Sequence, residues 1–315
     1  MLFLGTGAGA PTPKRNVSCT ALTFDQGSEI WLFDCGEGTQ QQLARARHSV
    51  AHVNHIFITH LHGDHILGLP GLLGSRSMQA RVTEPLMIFG PPGLRSFLTC
   101  VLDATQTTLG FPLTIHEIEQ DGVILENAHM TVEARQLVHG VKSFGYALLE
   151  HERPGRFHRD LAQSAGIPEG PLYGQLKRGY DIRLPDGQIM LSKEFVDPPI
   201  RGRKIVILGD TISCAASLQL AQCADVLVHE ATFSDEQRQL AQISMHSTAA
   251  QAAELAVHAH VSTLIMTHIS ARYEAQSTDH PLLQEARAIF EHTYLAEDFS
   301  VFSIPRTGLV AEDAR

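Results

Sequence analysis

Short runs of apolar and β-branched residues alternate with longer, helix-like stretches along most of this chain. Short runs of this kind are typical of buried strands, and longer stretches with apolar residues three and four positions apart are typical of helices. We predict strands at residues 29–33, 55–59, 85–89, 204–208, 225–228 and 263–267. We predict helices at residues 38–47, 92–102, 246–259 and 281–290, with Ser247, Thr248 and Pro281 as start signals. The alternation predicts an α/β protein.

Two segments depart from this alternation. Residues 132–149 are typical of two strands joined by a turn at His139 and Gly140. From residue 154 to 199 the apolar periodicity fades and glycine and proline accumulate, which indicates an insertion that projects from the core. We therefore predict one domain over residues 1–305, an inserted arm at about residues 152–200, and a frayed tail at residues 306–315.

The composition is that of a globular protein with a sizeable core, since 43% of its 315 residues are hydrophobic. No stretch approaches the ~18 consecutive apolar residues of a membrane span, and no basic segment precedes the apolar N-terminus. We therefore expect a cytoplasmic protein without membrane association. The five cysteines are odd in number and lack a C-x-x-C pair, which predicts neither a disulfide framework nor a cysteine zinc knuckle.

The charge is unevenly distributed. A net charge of −10 argues against a polyanionic partner, because phosphate binding depends on lysine and arginine. Residues 152–204, however, contain ten Lys/Arg against seven Asp/Glu. The insertion is therefore a candidate basic surface on an acidic body, and a mildly basic solvated surface is the equally simple alternative.

Residues 60–65 (HLHGDH) directly follow the predicted strand 55–59 and carry four side chains that can bind a metal. Imidazole nitrogen and carboxylate oxygen are ligand types that zinc prefers. Because alternate side chains at a strand end can face one point, the H-x-H-x-D-H spacing predicts a two-zinc site. A solvated histidine-rich turn is the alternative, and further ligands downstream disfavour it.

Three more candidate ligands stand where a predicted strand gives way to a loop: His139, Asp210 and His268. Ligands from several strand ends converge on one edge of an α/β sheet. His139 or His268 alone would be explained better as a hydrogen-bonded structural histidine, but the set together with residues 60–65 favours a metal centre. Zinc, manganese and cobalt all suit such donors.

With these motifs, the chain resembles the metallo-β-lactamase superfamily and, within it, the tRNase Z (ribonuclease Z) family, over about residues 1–305. The H-x-H-x-D-H run marks only the superfamily, whereas the insertion and residues 229–232 (HEAT), 246–248 (HST) and 267–273 (THISARY) are more specific. Other matching motifs are residues 3–7 (FLGTG), 33–40 (FDCGEGTQ), 68–73 (GLPGLL), 144–146 (FGY) and 208–211 (LGDT). The resemblance implies a metallo-β-lactamase fold, a four-layer αβ/βα sandwich with an inserted flexible arm.

The resemblance also implies two Zn²⁺ ions per subunit, held by seven side chains of this sequence. One ion is bound by His60, His62 and His139, the second by Asp64, His65 and His268, and both by Asp210. Asp34 matches a nearby carboxylate that orients ligand histidines, a role that metal sites commonly need.

The implied reaction is endonucleolytic removal of the 3′ trailer from precursor tRNA, which leaves a 3′ hydroxyl on the tRNA and a 5′ phosphate on the trailer. Asp64 matches the group that accepts a proton from water, and His246 paired with Glu230 matches the donor to the departing 3′ oxygen. From the residues alone, that pair could equally be a helix-start histidine and a buried ion pair. Arg272 matches a phosphate-contacting position.

Residues 166–179 correspond to the family's arm, which clamps the tRNA elbow, and there Lys177 and Arg178 are available for backbone contacts. Members are typically homodimers in which one subunit's arm serves the other's active site. The family's P-x-K-x-R-N loop, which helps to sense CCA, reads PTPKRN at residues 11–16, so proline replaces the usual lysine. Lys14 is shifted by one position, and with Arg15 it is the loop's candidate for substrate binding.

Three other functions fit parts of the sequence. Residues 5–10 (GTGAGA) fit a dinucleotide fingerprint, but Pro11 and Pro13 occupy the start of the helix that it needs, so we expect no nucleotide cofactor. A broader phosphodiesterase, exoribonuclease or small-molecule hydrolase of the same fold would share the ligands but would not need the insertion. A catalytically silent RNA-binding scaffold would need neither intact ligands nor His246.

Overall fold

The computed structural model describes residues 1–24, 28–79, 83–274 and 280–305, and the backbone of residues 310–312. In chain order, the strands of this part of the chain are β1 (Leu2–Gly5), β2 (Cys19–Thr23), β3 (Ile30–Phe33), β4 (Val53–Phe57), β5 (Leu86–Gly90), β6 (Leu113–Glu117), β7 (Gly122–Glu126), β8 (Met130–Gln136), β9 (Phe144–Glu150), β10 (Ile182–Arg183), β11 (Ile189–Met190), β12 (Lys204–Leu208), β13 (Val226–Glu230), β14 (Leu264–Thr267), β15 (Thr293–Leu295), β16 (Val301–Ser303) and β17 (Val310–Glu312). The helices are α1 (Thr39–Arg45), α2 (Gly63–Ile66), α3 (Leu69–Met78), α4 (Leu94–Ala104), α5 (Arg159–Ser164), α6 (Pro171–Lys177), α7 (Ala215–Ala221), α8 (Arg238–Ile243), α9 (Ala249–His258) and α10 (Pro281–Ile289).

Two large sheets form the framework of the described residues. The first has the strand order β17-β16-β1-β2-β3-β4-β5-β6, and the second has the order β15-β14-β13-β12-β9-β8-β7. Strands β3 to β6 run parallel in the first sheet, as do β12 to β15 in the second. The loops that leave parallel strands emerge at one edge of a sheet, so each sheet has one edge rich in functional loops.

The strands are buried on both faces because alternate side chains serve two different cores. In β3, Trp31 and Phe33 join the core between the sheets, whereas Ile30 and Leu32 join the core under the helices. Helices α1, α3 and α4 cover the first sheet, and helices α7, α9 and α10 cover the second. The resulting helix–sheet–sheet–helix order confirms the predicted four-layer sandwich.

Hydrogen bonds tie the two loop-rich edges to each other. The backbone N–H of Phe144, at the start of β9, donates to the carbonyl oxygen of Thr59 at 2.9 Å. The buried hydroxyl of Tyr146 donates to the carbonyl oxygen of Ile58 at 2.5 Å. The loop after β4 in the first sheet is therefore fixed against the β8–β9 hairpin of the second.

The insertion is more regular than its sequence pattern predicts. Helices α5 and α6 and the β10–β11 hairpin lie within residues 152–200, and they enclose a small core of their own. That core consists of Ala162, Ile167, Tyr173, Leu176, Ile182, Leu184, Met190 and Phe195. The apolar residues are spread over short elements, so no element is long enough to show a clear period.

Most predicted elements are confirmed to within one to three residues, and β12 is predicted at its observed bounds. Thr248 caps α9 by accepting a hydrogen bond from the N–H of Gln251, and Pro281 opens α10, as their sequence signals indicate. Residues 310–312, within the predicted tail, pair with β16. Residues 306–309 and 313–315 of that tail lie outside the described residues.

No helix of the described residues combines the length and the apolar character needed to cross a membrane.

Candidate metal centre and active site

The loops at the carboxyl ends of the parallel strands meet between the two sheets, and they carry the candidate ligands. The first sheet presents residues 60–65 from the loop after β4 and from α2. The second sheet contributes the β8–β9 loop and the loops after β12 and β14. The structure brings together all seven ligands that were predicted: His60, His62, Asp64, His65, His139, Asp210 and His268.

Three histidines form the first ligand group. The Nδ1 atom of His62 lies 3.0 Å from Nε2 of His60 and 3.3 Å from Nε2 of His139. The Nδ1–H of His139 donates to the carbonyl oxygen of Met245 at 2.8 Å, so a neutral ring directs the lone pair of Nε2 into the group. Ring nitrogens that meet in this way suit a shared cation, and this donor set is one that zinc binds.

A second group lies next to the first and contains both carboxylates. The Oδ2 atom of Asp64 lies 3.4 Å from Nε2 of His65 and 3.4 Å from Nε2 of His268. The Oδ2 atom of Asp210 lies 3.5 Å from His65, 3.3 Å from His268 and 3.7 Å from His60 of the first group. Asp210 is therefore placed between the two groups, where its carboxylate can serve both.

Asp34 supports the second group from behind. Its Oδ2 atom accepts a 2.7 Å hydrogen bond from Nδ1 of His65, and its Oδ1 atom accepts one from the backbone N–H of Thr59, also at 2.7 Å. Nε2 of His65 is buried, faces the centre and has no hydrogen-bond partner in this structure. Asp34 and His268 both adopt left-handed backbone conformations, with φ of 60° and 56°. Such strain is common at functional sites, where surrounding contacts hold it in place.

The histidines keep both carboxylates of the centre ionised. Burial raises the pKa of Asp210, but the adjacent His268, His65 and His60 outweigh this effect and hold the pKa well below its usual range. Burial also raises the pKa of Asp64, and the adjacent His268 and His65 lower it by more. Both oxygen donors are therefore in the charged form that a cation binds.

His246 and Glu230 form a hydrogen-bonded pair beside the candidate metal ligands. Nδ1 of His246 lies 3.0 Å from Oε1 of Glu230, which is 1% exposed and also accepts the N–H of Thr211 at 2.8 Å. The His246 ring stacks on His268 with centroids 5.4 Å apart. Burial lowers the pKa of His246, but the bond to Glu230 and the charges of Glu230 and Asp210 raise it to about 9. The imidazolium can therefore donate a proton from its other nitrogen.

Arg272 lies four residues after His268 and is exposed near the pair. Its guanidinium carbon is 4.9 Å from the centre of the Phe233 ring, and its Nη1 atom donates to Oε1 of Gln237 at 2.6 Å. These contacts orient the planar group without neutralising its charge. The remaining N–H donors suit a phosphate.

The two basic residues of the loop at residues 11–16 have different surroundings. Lys14 is exposed, and its Nζ atom donates to the carbonyl oxygen of Glu274 at 3.1 Å. Arg15 is only 7% exposed, and its Nη1 atom donates to Oγ1 of Thr6 at 2.6 Å and to the carbonyl oxygen of Ala296 at 2.7 Å. The guanidinium of Arg15 therefore holds the loop on the core, and Lys14 is the exposed basic side chain of the loop.

Lys177 and Arg178 lie at the end of α6 in the insertion, and both are exposed. The Nζ atom of Lys177 is 5.1 Å from the centre of the Phe157 ring. A cavity of about 680 Å³ lies beside them, with Arg153 and Lys193 among its lining residues. These basic side chains form part of the insertion and not of the metal centre.

The sequence pattern did not single out two buried threonines, Thr59 and Thr232, that contact the centre. Thr59 precedes His60, and Thr232 follows Glu230 by two residues. Each hydroxyl bonds to a carboxylate and to a histidine among the candidate ligands. Threonine is common in and near strands, so only its position beside the ligand motifs could have indicated this role.

Comparisons with known proteins find one family model that matches part of this chain and relatives that match nearly all of it. A family model described as Anti-Pycsar protein Apyc1 matches residues 1–149. Ribonuclease Z from Brevibacillus brevis (strain 47) is 48% identical over 307 residues, which cover 96% of this chain and 96% of the relative. The crystal structure of human tRNase Z, short form, is similar at a TM-score of 0.70 and 32% identity, and covers 96% of this chain and 98% of the human one.

The metallo-β-lactamase fold protein YhfI from Bacillus subtilis is similar in fold, with a TM-score of 0.65 at 16% identity. The similarity covers 95% of each chain. At this identity it bears on the fold alone, and it confirms the predicted fold class.

Proposed function

This chain belongs to the ribonuclease Z family, and on that premise we propose that it removes the 3′ trailer from precursor tRNA at a centre of two zinc ions. It is a metal-dependent nuclease of tRNA 3′-end processing. The products would be a tRNA with a 3′ hydroxyl and a trailer with a 5′ phosphate. A tRNA substrate also supports a cytoplasmic location.

The observation that carries the proposal is the position of Asp210 between two ligand groups. We assign one ion to His60, His62 and His139, the second to Asp64, His65 and His268, and Asp210 to both. When bound, two such ions activate a water and neutralise charge on the oxygens of a phosphodiester. The ionised carboxylates and the inward lone pair of His139 support this assignment.

Side chains of the protein would move the protons. Asp64 is ionised and accepts a hydrogen bond from the N–H of Gly9 at 2.9 Å, which leaves lone pairs for a proton from the attacking water. His246 would protonate the departing 3′ oxygen, because its Nδ1–H is held by Glu230 and its Nε2–H is free to donate. The buried Glu230 keeps the ring in one orientation and in the charged state.

Binding of the RNA would depend on charge outside the centre. We assign Arg272 to a phosphate near the cleavage site, since its guanidinium is exposed and pre-oriented by Phe233 and Gln237. We assign Lys177 and Arg178 to backbone contacts at the tRNA elbow. Lys14, the exposed basic residue of residues 11–16, is a further candidate for contact near the 3′ end.

We also propose a homodimer in which the arm of one subunit serves the active site of the other. Mixing two impaired proteins at a tRNA concentration below KM tests this idea: His246→Ala with an intact arm, and a Lys177→Ala/Arg178→Ala variant with an intact centre. An arm that works in trans restores activity in the mixture above the sum of the separate proteins. Activity that stays at that sum would exclude exchange of arms between subunits.

Metal analysis tests the centre itself. The purified chain is stripped with a chelator, reloaded with zinc and assayed on a precursor tRNA that carries a 3′ trailer. We expect two zinc ions per chain. Asp210→Ala should lose both zinc binding and cleavage of the precursor tRNA. Fewer than one zinc per chain, with tRNA still bound, would instead favour a silent RNA-binding scaffold.

A further inference from the structure

Two buried threonines occupy equivalent places in the two sheets. Thr59 follows β4 in the first sheet and is 1% exposed, and Thr232 follows β13 in the second and is 4% exposed. A buried hydroxyl needs hydrogen-bond partners, because its desolvation is otherwise uncompensated. In both cases the partners are a carboxylate and a histidine of the centre, so the same arrangement occurs twice.

The single proton of the Thr232 hydroxyl fixes the direction of its hydrogen bonds. Its Oγ1 atom lies 2.6 Å from Oε2 of Glu230, 2.9 Å from Nδ1 of His268 and 3.0 Å from the carbonyl oxygen of His268. The ionised carboxylate can only accept, and it is both the closest and the charged partner, so the hydroxyl donates to Glu230. Oγ1 must then accept from the Nδ1–H of His268.

This direction determines which nitrogen of His268 is free. With the proton of the neutral ring on Nδ1, the lone pair is on Nε2, which points at Asp210 at 3.3 Å and at Asp64 at 3.4 Å. A lone pair that faces two carboxylate oxygens is repulsive unless a cation lies between them. Thr232 therefore holds His268 in the form that binds a metal, and it does so through the carboxylate that also holds His246.

Thr59 makes the same connection on the other side. Its Oγ1 atom lies 2.9 Å from Oδ2 of Asp34 and 3.0 Å from Nδ1 of His60. By the same proton count it donates to Asp34 and accepts from the Nδ1–H of His60. Nε2 of His60 is thereby left with a lone pair, 3.0 Å from His62.

Each carboxylate also binds a second histidine directly. Asp34 accepts from His65 at 2.7 Å, and Glu230 accepts from His246 at 3.0 Å. Each unit is thus one carboxylate with one histidine bound directly and another bound through a threonine. The units differ in one respect, because His246 is the assigned proton donor whereas His65 is a metal ligand.

We propose that Thr59 and Thr232 are positioning residues that fix the tautomers of His60 and His268, and that Thr232 also couples metal binding to the Glu230–His246 pair. This inference rests on the proposed metal centre. Loss of an outer hydrogen-bond partner typically lowers metal affinity 10- to 100-fold, so that range is expected for removal of either hydroxyl. Removal of the Thr232 hydroxyl also loosens Glu230, so it should lower kcat at saturating zinc while KM for tRNA stays the same.

The test compares Thr232→Val, which keeps the shape but not the hydroxyl, with Thr232→Ser, which keeps the hydroxyl, and it repeats the pair at Thr59. Thr293→Val is the matched control, because Thr293 of β15 is fully buried and its hydroxyl donates to the carbonyl oxygen of Phe290 and not to a group of the proposed centre. Zinc affinity is measured by competition with a chromogenic chelator, folding by thermal unfolding of the metal-free proteins, and kcat and KM on a precursor tRNA.

We expect both valine variants to lose zinc affinity 10- to 100-fold, the serine variants to recover most of that loss, and Thr293→Val to lose thermal stability without losing zinc affinity. Valine and serine variants of equal zinc affinity would overturn the inference, as would a loss in Thr293→Val as large as in Thr232→Val. If the unsubstituted protein binds no zinc, the proposed metal centre itself fails. That outcome differs from a protein that binds zinc with an affinity independent of the two hydroxyls.

Discussion

Replacement of His246 by alanine should remove the proposed proton donor and leave the proposed metal centre in place. General acid catalysis by a positioned side chain typically contributes 10²- to 10⁴-fold to a rate. The His246 side chain is 16% exposed, so water can reach the same place and deliver a proton less efficiently. We therefore expect kcat on precursor tRNA to fall by about 10² to 10³, equivalent to about 3 to 4 kcal/mol of barrier.

The leaving group separates a proton donor from a structural residue. A ribose 3′ oxygen must be protonated as it departs, whereas a p-nitrophenolate ion is stable at neutral pH and needs no proton. Cleavage of bis(p-nitrophenyl) phosphate by His246→Ala should therefore stay within a few-fold of the unsubstituted protein. His258→Ala, which changes an exposed histidine at the end of α9, is the control and should leave both substrates unaffected.

Metal content and tRNA affinity complete this test. Glu230 keeps its bonds to Thr211 and Thr232 in the variant, so the cost in folding free energy should be only about 1 to 2 kcal/mol. Zinc content and KM for tRNA should be retained. Equal losses on the two substrates, or a loss of zinc, would refute the role of His246 as the acid.

Three further predictions concern regions outside the centre. Lys177→Ala/Arg178→Ala should raise KM for precursor tRNA and weaken its salt dependence, while hydrolysis of the aryl phosphodiester persists; equal losses on both substrates would exclude a role in tRNA binding. Burial lowers the pKa of His55 to about 4, whereas an unperturbed histidine has a pKa of about 6.5. As the pH falls below 6.5, His55 is therefore protonated in the unfolded chain before it is protonated in the folded protein. The free energy of unfolding should fall by about 2 to 3 kcal/mol between pH 6.5 and pH 4. Chemical unfolding should show a smaller fall in His55→Phe, and an unchanged fall would contradict this assignment. Arg15→Ala should cost about 2 kcal/mol of folding free energy, whereas Lys14→Ala should change it by less than about 0.5 kcal/mol, and equal effects in thermal unfolding would show that the burial of Arg15 is unimportant.

The sequence predicted best those features that depend on local pattern. Strands buried on both faces give short apolar runs, and for this reason β12 was predicted at its observed bounds. The clustering of the candidate ligands was predictable because the H-x-H-x-D-H run concentrates them after one strand and because His139, Asp210 and His268 each follow another strand. Thr248 and Pro281 were identified because helix starts have specific chemistry.

Features that depend on tertiary contacts were not predictable in this way. Arg15 looks like any basic loop residue until the fold places Thr6 and Ala296 around its guanidinium. The hydroxyls of Thr59 and Thr232 acquire their role only when neighbouring strands pair, β3 with β4 in the first sheet and β13 with β14 in the second. The small core of the insertion was not visible in the sequence, because its eight apolar residues are spread over short helices and a hairpin and show no periodic spacing.

The central claim is tested most directly by mapping the products from a precursor tRNA with a 3′ trailer, prepared with and without CCA, after incubation with zinc-loaded protein. Mass analysis of the ends should show a single cut near the discriminator nucleotide, with a 3′ hydroxyl on the tRNA and a 5′ phosphate on the trailer. The two precursors together would show whether residues 11–16, with proline in place of lysine, still distinguish CCA. An uncut precursor alongside a hydrolysed small phosphodiester would contradict the assigned substrate while leaving the metal chemistry in place.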